Sequence, residues 1–219
     1  MRSLDVFLFD LDGTLIDSLE LIRRSLVHTL ASHGLPALTR AEWLDGLGTP
    51  LVAQFRRYTD DPRQLDALVR TYRTWNLAHH DALVRPYDGV RAALESLKDS
   101  GGRLGVVTSK QRASARRGLE RCGLADLFEV LVGADDVDQG KPAPDPVLLA
   151  LERLGARAER AIYVGDAPHD ITAGRAAGTR TAAVLWGSLS RAELEPHQPD
   201  SWIDQPPDLC ELGRPALRH

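Results

Sequence analysis

The residues Val6-Phe7-Leu8-Phe9 form an unbroken apolar run that ends abruptly in acidic residues and glycine. A strand covered on both faces reads this way, because neither face calls for polar side chains. The pattern returns at Leu104-Gly105-Val106-Val107-Thr108, Val130-Leu131-Val132-Gly133, Ala161-Ile162-Tyr163-Val164-Gly165 and Thr181-Ala182-Ala183-Val184. Between these runs the apolar positions switch to helical spacing. Asp88 is placed to cap a helix carrying Val90, Ala93, Leu94 and Leu97, which Gly101-Gly102 ends. Asp145-Pro146 reads as an N-cap followed by N1, with Gly155 just past Leu154 as the stop. A further helix follows Asp170 through Ala173 and Ala176 to Gly178. Strands alternating with helices predict βαβ units and a mostly parallel sheet, an α/β fold.

One stretch breaks the alternation. From Ile16 to Val84 the periodicity is helical throughout, with Leu19, Ile22, Leu26 and Leu30 on one face behind Asp17 or Ser18 as cap. A second helix, roughly Arg63 to Ala82, carries Leu65, Leu68, Val69, Tyr72 and Trp75. The division expected is a core of residues 1–15 and 85–219 around a helical insertion of residues 16–84. The proline-rich tail, with Pro196, Pro199, Pro206 and Pro207, is expected to add an edge strand near Ser201-Trp202-Ile203.

Composition narrows the classes. The 219 residues are 43% hydrophobic and 26% charged, an ordinary globular balance. The net charge of −4 gives no electrostatic footprint for nucleic acid or an anionic membrane. Asp10 and Asp12 interrupt the apolar start before it can serve as a signal peptide, and no run approaches the ~20 apolar residues of a membrane span. Cys122 and Cys210, far apart and in no Cys-x-x-Cys pattern, read as reduced thiols. These features predict a cytoplasmic protein, monomer or homodimer. Lysine stands only at positions 98, 110 and 141 in an arginine-rich chain, so each lysine merits individual inspection.

Ligands of open parallel sheets bind beyond the carboxyl ends of the strands. The polar residues there form a set: Asp10 and Asp12 after the first strand, Thr108 and Ser109 after the second, Lys141 in the loop after the third, Asp166 and Asp170 after the fourth. Carboxylates converging on one point repel unless a cation sits among them, and oxygen-only ligation suits Mg²⁺. A hydroxyl and an ammonium at the same point would hold an anion. That is equipment for phosphoryl transfer, with a carboxylate able to act as nucleophile.

The segment Asp10-Leu11-Asp12-Gly13-Thr14-Leu15, then Thr108, then Lys141-Pro142, then Gly165-Asp166-x-x-x-Asp170 resembles, in order, the four motifs of the haloacid dehalogenase superfamily. The resemblance covers nearly the whole chain. It implies a Rossmann-like three-layer core with the helical insertion as a C1-type cap. By position it implies Asp10 as nucleophile and Asp12 as general acid and then base. Thr108 and the backbone near Ser109 would bind phosphoryl oxygens, and Lys141 would neutralise charge. Mg²⁺ would be held by Asp10, the Asp12 carbonyl and Asp166, with Asp170 direct or through water. Position 167 is Ala where relatives often carry a small polar residue.

Each residue also has a plainer reading. Asp-x-Asp-Gly-Thr alone fits an ordinary turn, and its three partner motifs turn the balance. Asp166 and Asp170 fit helix caps. Thr108 can simply end a strand, and Lys141 can be a surface lysine. His79-His80 fits a polar helix face better than a metal site. Gly46-Leu47-Gly48-Thr49-Pro50 joins two helices of the insertion, and its place resembles the substrate-contacting cap loop, which makes Gly48 and Thr49 weaker candidates. Arg56 and Arg57 fit a solvated face.

Asp12 argues against the dehalogenase branch, and the absence of lysine from the insertion against the Schiff-base phosphonatases. The closest resemblance is to the phosphoglycolate phosphatase group and its pyrophosphatase branch, through segments such as Tyr72-Arg73-Thr74-Trp75-Asn76, His79-His80-Asp81, Thr108-Ser109-Lys110 and Ala134-Asp135-Asp136-Val137. The expected substrate is therefore phosphoglycolate or a similar small phosphorylated metabolite first, and pyrophosphate second. A β-phosphoglucomutase-type mutase shares the four motifs and stays open. Outside catalysis, a phospho-acceptor receiver domain also clusters aspartates with Thr and Lys, but its acceptor lies on a later strand and it carries no helical insertion. A binding protein that has lost catalysis is the remaining non-enzymatic reading.

Overall fold

The computed structural model describes residues 4–213. Its central sheet has six strands: β1 (Val6–Phe9), β4 (Arg103–Val107), β5 (Val130–Val132), β6 (Ala161–Gly165), β7 (Arg180–Val184) and β8 (Ser201–Ile203). Their spatial order is β5-β4-β1-β6-β7-β8, and every pairing is parallel. The tail thus supplies an edge strand, as its pattern suggests.

Successive side chains of a strand point to opposite faces, and the continuous apolar runs divide accordingly. Phe7 and Phe9 join Val106, Ile162 and Val164 on one face, against Val90, Ala93, Leu94 and Leu97 of α5 (Val90–Asp99) and Ala115 and Leu119 of α6 (Arg112–Arg121). Val6, Leu8, Val107, Val132 and Tyr163 join the other face, against Val147, Ala150, Leu151 and Leu154 of α7 (Asp145–Leu154) and Ala173 of α8 (Pro168–Ala176). Three layers result, α/β/α.

Residues 19–83 hold four helices: α1 (Leu19–Ser32), α2 (Arg40–Gly46), α3 (Leu51–Phe55) and α4 (Pro62–Leu83). They enclose a separate apolar cluster of Leu26, Leu30, Phe55, Leu68 and Val69. The expectation of no strand between Ile16 and Val84 needs one correction. β2 (Ile16–Asp17) pairs antiparallel with β3 (Arg85–Pro86) at the two chain crossings into this helical segment. Two-residue strands leave no periodicity for a sequence pattern to show. Leu47, Trp43 and Leu44 then pack on Ile171, Ala183, Leu189 and Leu194 of the α/β layers, seating the α2–α3 loop against them.

Several helix starts differ from the sequence reading by one residue. Gly89 at φ 85°, not Asp88, caps α5; Pro144 caps α7, with Asp145 already its first residue. Around α8, Ala167 is the N-cap, Asp166 precedes it, and Asp170 sits inside the first turn. Ser18 does cap α1 by position, but its hydroxyl is turned elsewhere. Among the described residues no helix is long and apolar enough to cross a membrane.

Candidate active site

Because β1 lies between β4 and β6 in parallel register, the residues that follow these three strands emerge side by side. They are Asp10, Thr108 and Asp166, all buried. The first turn of α8 adds Asp170, and the β5–α7 loop adds Lys141, both buried as well. One ligand oxygen from each of Asp10, Asp166 and Asp170 lies within 4.8 Å of the others. Lys141 Nζ is 2.6 Å from Asp170 Oδ1 and 2.9 Å from Asp10 Oδ1. The Asp10 pair lacks hydrogen-bond alignment, which leaves Asp10 Oδ1 buried without a hydrogen bond.

Close backbone approach makes this crowding possible. Gly13 adopts φ 82°, and a Cβ there would collide with the Asp166 carboxylate. Thr14 Oγ1 donates to Asp166 Oδ1 at 3.2 Å. Asp170 Oδ2 accepts the Ala167 N–H at 3.0 Å, while its Oδ1 accepts from Lys141. Asp170 thus bonds the backbone at the N-cap of α8 with one oxygen and the Lys141 ammonium with the other.

The electrostatics follow from burial. Loss of solvent, reinforced by Asp170 and Asp12 and opposed by Lys141, pushes the Asp10 carboxyl up to about 7. Burial, then Asp10 and Asp170, drives Asp166 well above the usual carboxylate range. Burial also works against the Lys141 ammonium, yet Asp10 and Asp170 hold it well above its ordinary value. Three buried carboxylates thus face one buried ammonium. A hard divalent cation fits this donor set: it would neutralise the excess charge and occupy the orphaned Asp10 oxygen.

A cavity of about 750 Å³ opens above the cluster, between the α/β layers and the helical segment. Asp10, Asp12, Thr108, Ser109, Asp166, Gly48 and Thr49 all line it, so the sequence candidates do share one space. Lys141 and Asp170 lie behind its wall. Thr49 spends its hydroxyl on Gly46 O at 2.7 Å, and Ser109 donates its hydroxyl to Gly48 O at 2.6 Å. The Ser109 side chain therefore binds the insertion loop, which leaves its backbone for an anion. Gly48 takes φ 74°, and a Cβ there would come within 3.1 Å of Ala167 Cβ. The alanine at position 167 thus has a physical role, a small surface on which the loop seats.

Other groups emerge only in three dimensions. Tyr163 Oη donates to Val107 O at 2.8 Å and accepts from Lys141 Nζ at 3.1 Å. Gly187 leaves room for Asp166, since a Cβ there would sit 2.5 Å from Asp166 Oδ2. Ser18 Oγ donates to Asp12 Oδ1, and Lys110 Nζ donates to the same oxygen at 2.6 Å. The sparseness of lysine could have flagged Lys110; Tyr163 and Gly187 carried no local signal. His79 stacks on Trp75, as a surface residue does. His80 departs from the expected polar face: it is buried, with Nδ1 2.8 Å from Asp81 Oδ1. Arg57 pairs with Asp45 at 2.6 Å, in keeping with a solvated face.

Comparison with known proteins agrees with this architecture. The family model for haloacid dehalogenase-like hydrolase matches residues 7–184. Pyrophosphatase PpaX of Halalkalibacterium halodurans is 40% identical over 209 residues, covering 95% of this chain and 96% of that protein. Pyrophosphatase PpaX of Bacillus pumilus is 42% identical over 210 residues, covering 96% of each. A haloacid dehalogenase-like hydrolase from Bacteroides fragilis superposes with a TM-score of 0.87 at 29% identity, over 94% of this chain and 99% of that one. With strand-end carboxylates, a buried lysine and this match over most of its length, the chain belongs to the haloacid dehalogenase-like hydrolases.

Proposed function

We propose that the protein is a Mg²⁺-dependent phosphohydrolase working through an aspartyl-phosphate on Asp10. The observation that carries this reading is the buried Asp10–Asp166–Asp170 cluster, with Lys141 against it, of which Asp10 and Asp166 line the cavity. Asp10, the Asp12 carbonyl and Asp166 would hold Mg²⁺, with Asp170 acting through water because both its oxygens are already engaged. Bound there, the ion supplies charge neutralisation between nucleophile and phosphoryl group.

An Asp10 oxygen attacks phosphorus, the bond to the leaving oxygen breaks, and Asp12 gives that oxygen its proton. In the second step Asp12 takes a proton from water. The resulting hydroxide attacks phosphorus, inorganic phosphate departs and Asp10 is regenerated. Thr108 and the backbone at Ser109 hold the phosphoryl oxygens, and Lys141 balances charge on Asp10. The helical segment, residues 16–84, acts as the cap over this reaction, with Gly48 and Thr49 on its substrate-facing loop.

For the substrate we place pyrophosphate first, supported by the likeness to the PpaX pyrophosphatases, and a small monoester of the phosphoglycolate kind second, where the sequence alone suggested the opposite order. Asp10→Asn is expected to fold normally and to lose steady-state phosphate release from both, because an amide is not a nucleophile. Sustained turnover by that variant would remove Asp10 from the reaction. A Mg²⁺-dependent screen of pyrophosphate, phosphoglycolate, p-nitrophenyl phosphate and β-glucose 1-phosphate separates hydrolase from mutase.

A further inference from the structure

The leaving group that Asp12 protonates must occupy the cavity, and the wall that the helical segment gives this cavity is mostly apolar. Leu19, Ile22, Trp43, Leu51, Val52 and Leu77 line it there. The polar groups beside them are turned to one another. Thr49 Oγ1 donates to Gly46 O at 2.7 Å, Gln54 Nε2 to Thr49 O at 3.1 Å, and Asn76 Nδ2 to Ser25 Oγ at 2.9 Å. Among the described residues, Arg73 is the one Lys, Arg, Asp or Glu that residues 16–84 contribute to the lining, and it is exposed.

Exposure singles out the same wall. Val27, Val52, Leu77 and Leu148 are the large apolar side chains left exposed among the described residues, and Val52 and Leu77 both line this cavity, from α3 and α4. Leu77 is 56% exposed, although Leu68 and Val69 of the same helix are buried. Exposed hydrophobics scattered singly need no explanation; two that share one cavity with Asp10, Asp12 and Thr108 do. An apolar wall with a few convergent polar groups is the usual form of a small-molecule site.

We propose that this wall is a seat for an apolar leaving group, and that the protein also hydrolyses phosphate monoesters of apolar alcohols. In that reaction the bond between phosphorus and the alkoxy oxygen breaks, Asp12 protonates the oxygen, and the alcohol departs whole. Water then releases inorganic phosphate from Asp10. The activity goes beyond pyrophosphate and phosphoglycolate, and it rests on the assignment of Asp10 and Asp12 made above.

The test follows kcat/KM of the Mg²⁺-loaded wild type along ethyl, butyl and hexyl phosphate, straight-chain esters whose alcohols leave equally poorly, so that only apolar contact varies. Each added methylene is expected to raise kcat/KM about two- to fourfold, hence at least about tenfold from ethyl to hexyl. A flat or falling series overturns the proposal. Leu77→Asn is expected to shrink the hexyl-to-ethyl ratio at least about threefold, and Leu77→Met to keep it. If the wall serves only to seat the helical segment on the α/β layers, Leu77→Asn lowers both esters alike and leaves the ratio unchanged, which overturns the proposal too. Release of phosphate from pyrophosphate but from none of the alkyl esters overturns it while leaving the Asp10 reading intact.

Binding judges the wall without turnover. Hexylphosphonate is expected to bind the Mg²⁺-loaded protein at least about tenfold more tightly than ethylphosphonate in a calorimetric titration, and equal affinities overturn the seat. Wild-type protein that releases no phosphate from pyrophosphate or from any alkyl ester counts instead against the Asp10 reading, and the phosphonate comparison then decides whether the apolar seat exists.

Discussion

Replacing Tyr163 by Phe removes one oxygen atom and tests how Lys141 is held. The hydroxyl donates to Val107 O at 2.8 Å and accepts from Lys141 Nζ at 3.1 Å, fully buried between the sheet and α8. Without it, a buried strand carbonyl and a buried ammonium N–H each lose a partner, with no water to take its place. An orphaned buried group costs about 1–3 kcal/mol, so the pair should cost roughly 2–6 kcal/mol. For a chain of this size each kcal/mol lowers the midpoint by about 2–4 °C, giving a fall of roughly 4–24 °C. Lys141 keeps Asp170 as a fixed partner but loses its second anchor, so kcat is expected to drop about tenfold with KM little changed. Urea unfolding followed by circular dichroism gives the first quantity and steady-state phosphate release the second. A stability change under about 0.5 kcal/mol refutes the accounting of orphaned groups. A large stability loss with kcat intact refutes the claim that the hydroxyl anchors Lys141.

Two further substitutions examine neighbouring parts of the site. Gly187→Ala places a Cβ 2.5 Å from Asp166 Oδ2, so Asp166 must shift; Mg²⁺ affinity, read from activity against metal concentration, is expected to fall about 10- to 100-fold, and an unchanged titration would contradict this. Gly48→Ala opposes φ 74° and crowds Ala167 by about 1–2 kcal/mol, so KM is expected to rise about 5- to 30-fold through an unseated loop; a rise confined to kcat would show that the loop does not govern binding.

The sheet was readable from sequence because a strand covered on both faces leaves a long, local signal, and each predicted run falls within a residue of its observed strand. The principal carboxylates were readable for a related reason: in a parallel sheet, the residue after a strand is committed to one end of the fold. Tyr163 was hidden inside such a run, where its hydroxyl looked like one more element of an apolar strand. Gly187 lies 21 residues beyond the carboxylate it accommodates, a relation that only tertiary structure defines. The expected use of the backbone near Ser109 says nothing of its hydroxyl, which is committed to Gly48 because helix packing brings that loop within reach. Helix starts slipped by one residue since glycine and proline took the cap positions from the aspartates beside them.

The antiparallel pairing of Ile16–Asp17 with Arg85–Pro86 brings both crossings of the chain together at one point. The entropic penalty of closing the intervening segment is met at that ribbon and grows only logarithmically with the length enclosed. Whatever is spliced between those strands need only begin and end as neighbours to leave the carboxylates below undisturbed. The chemistry that breaks the bond and the surface that chooses the molecule can therefore diversify separately, one conserving its geometry while the other is rewritten.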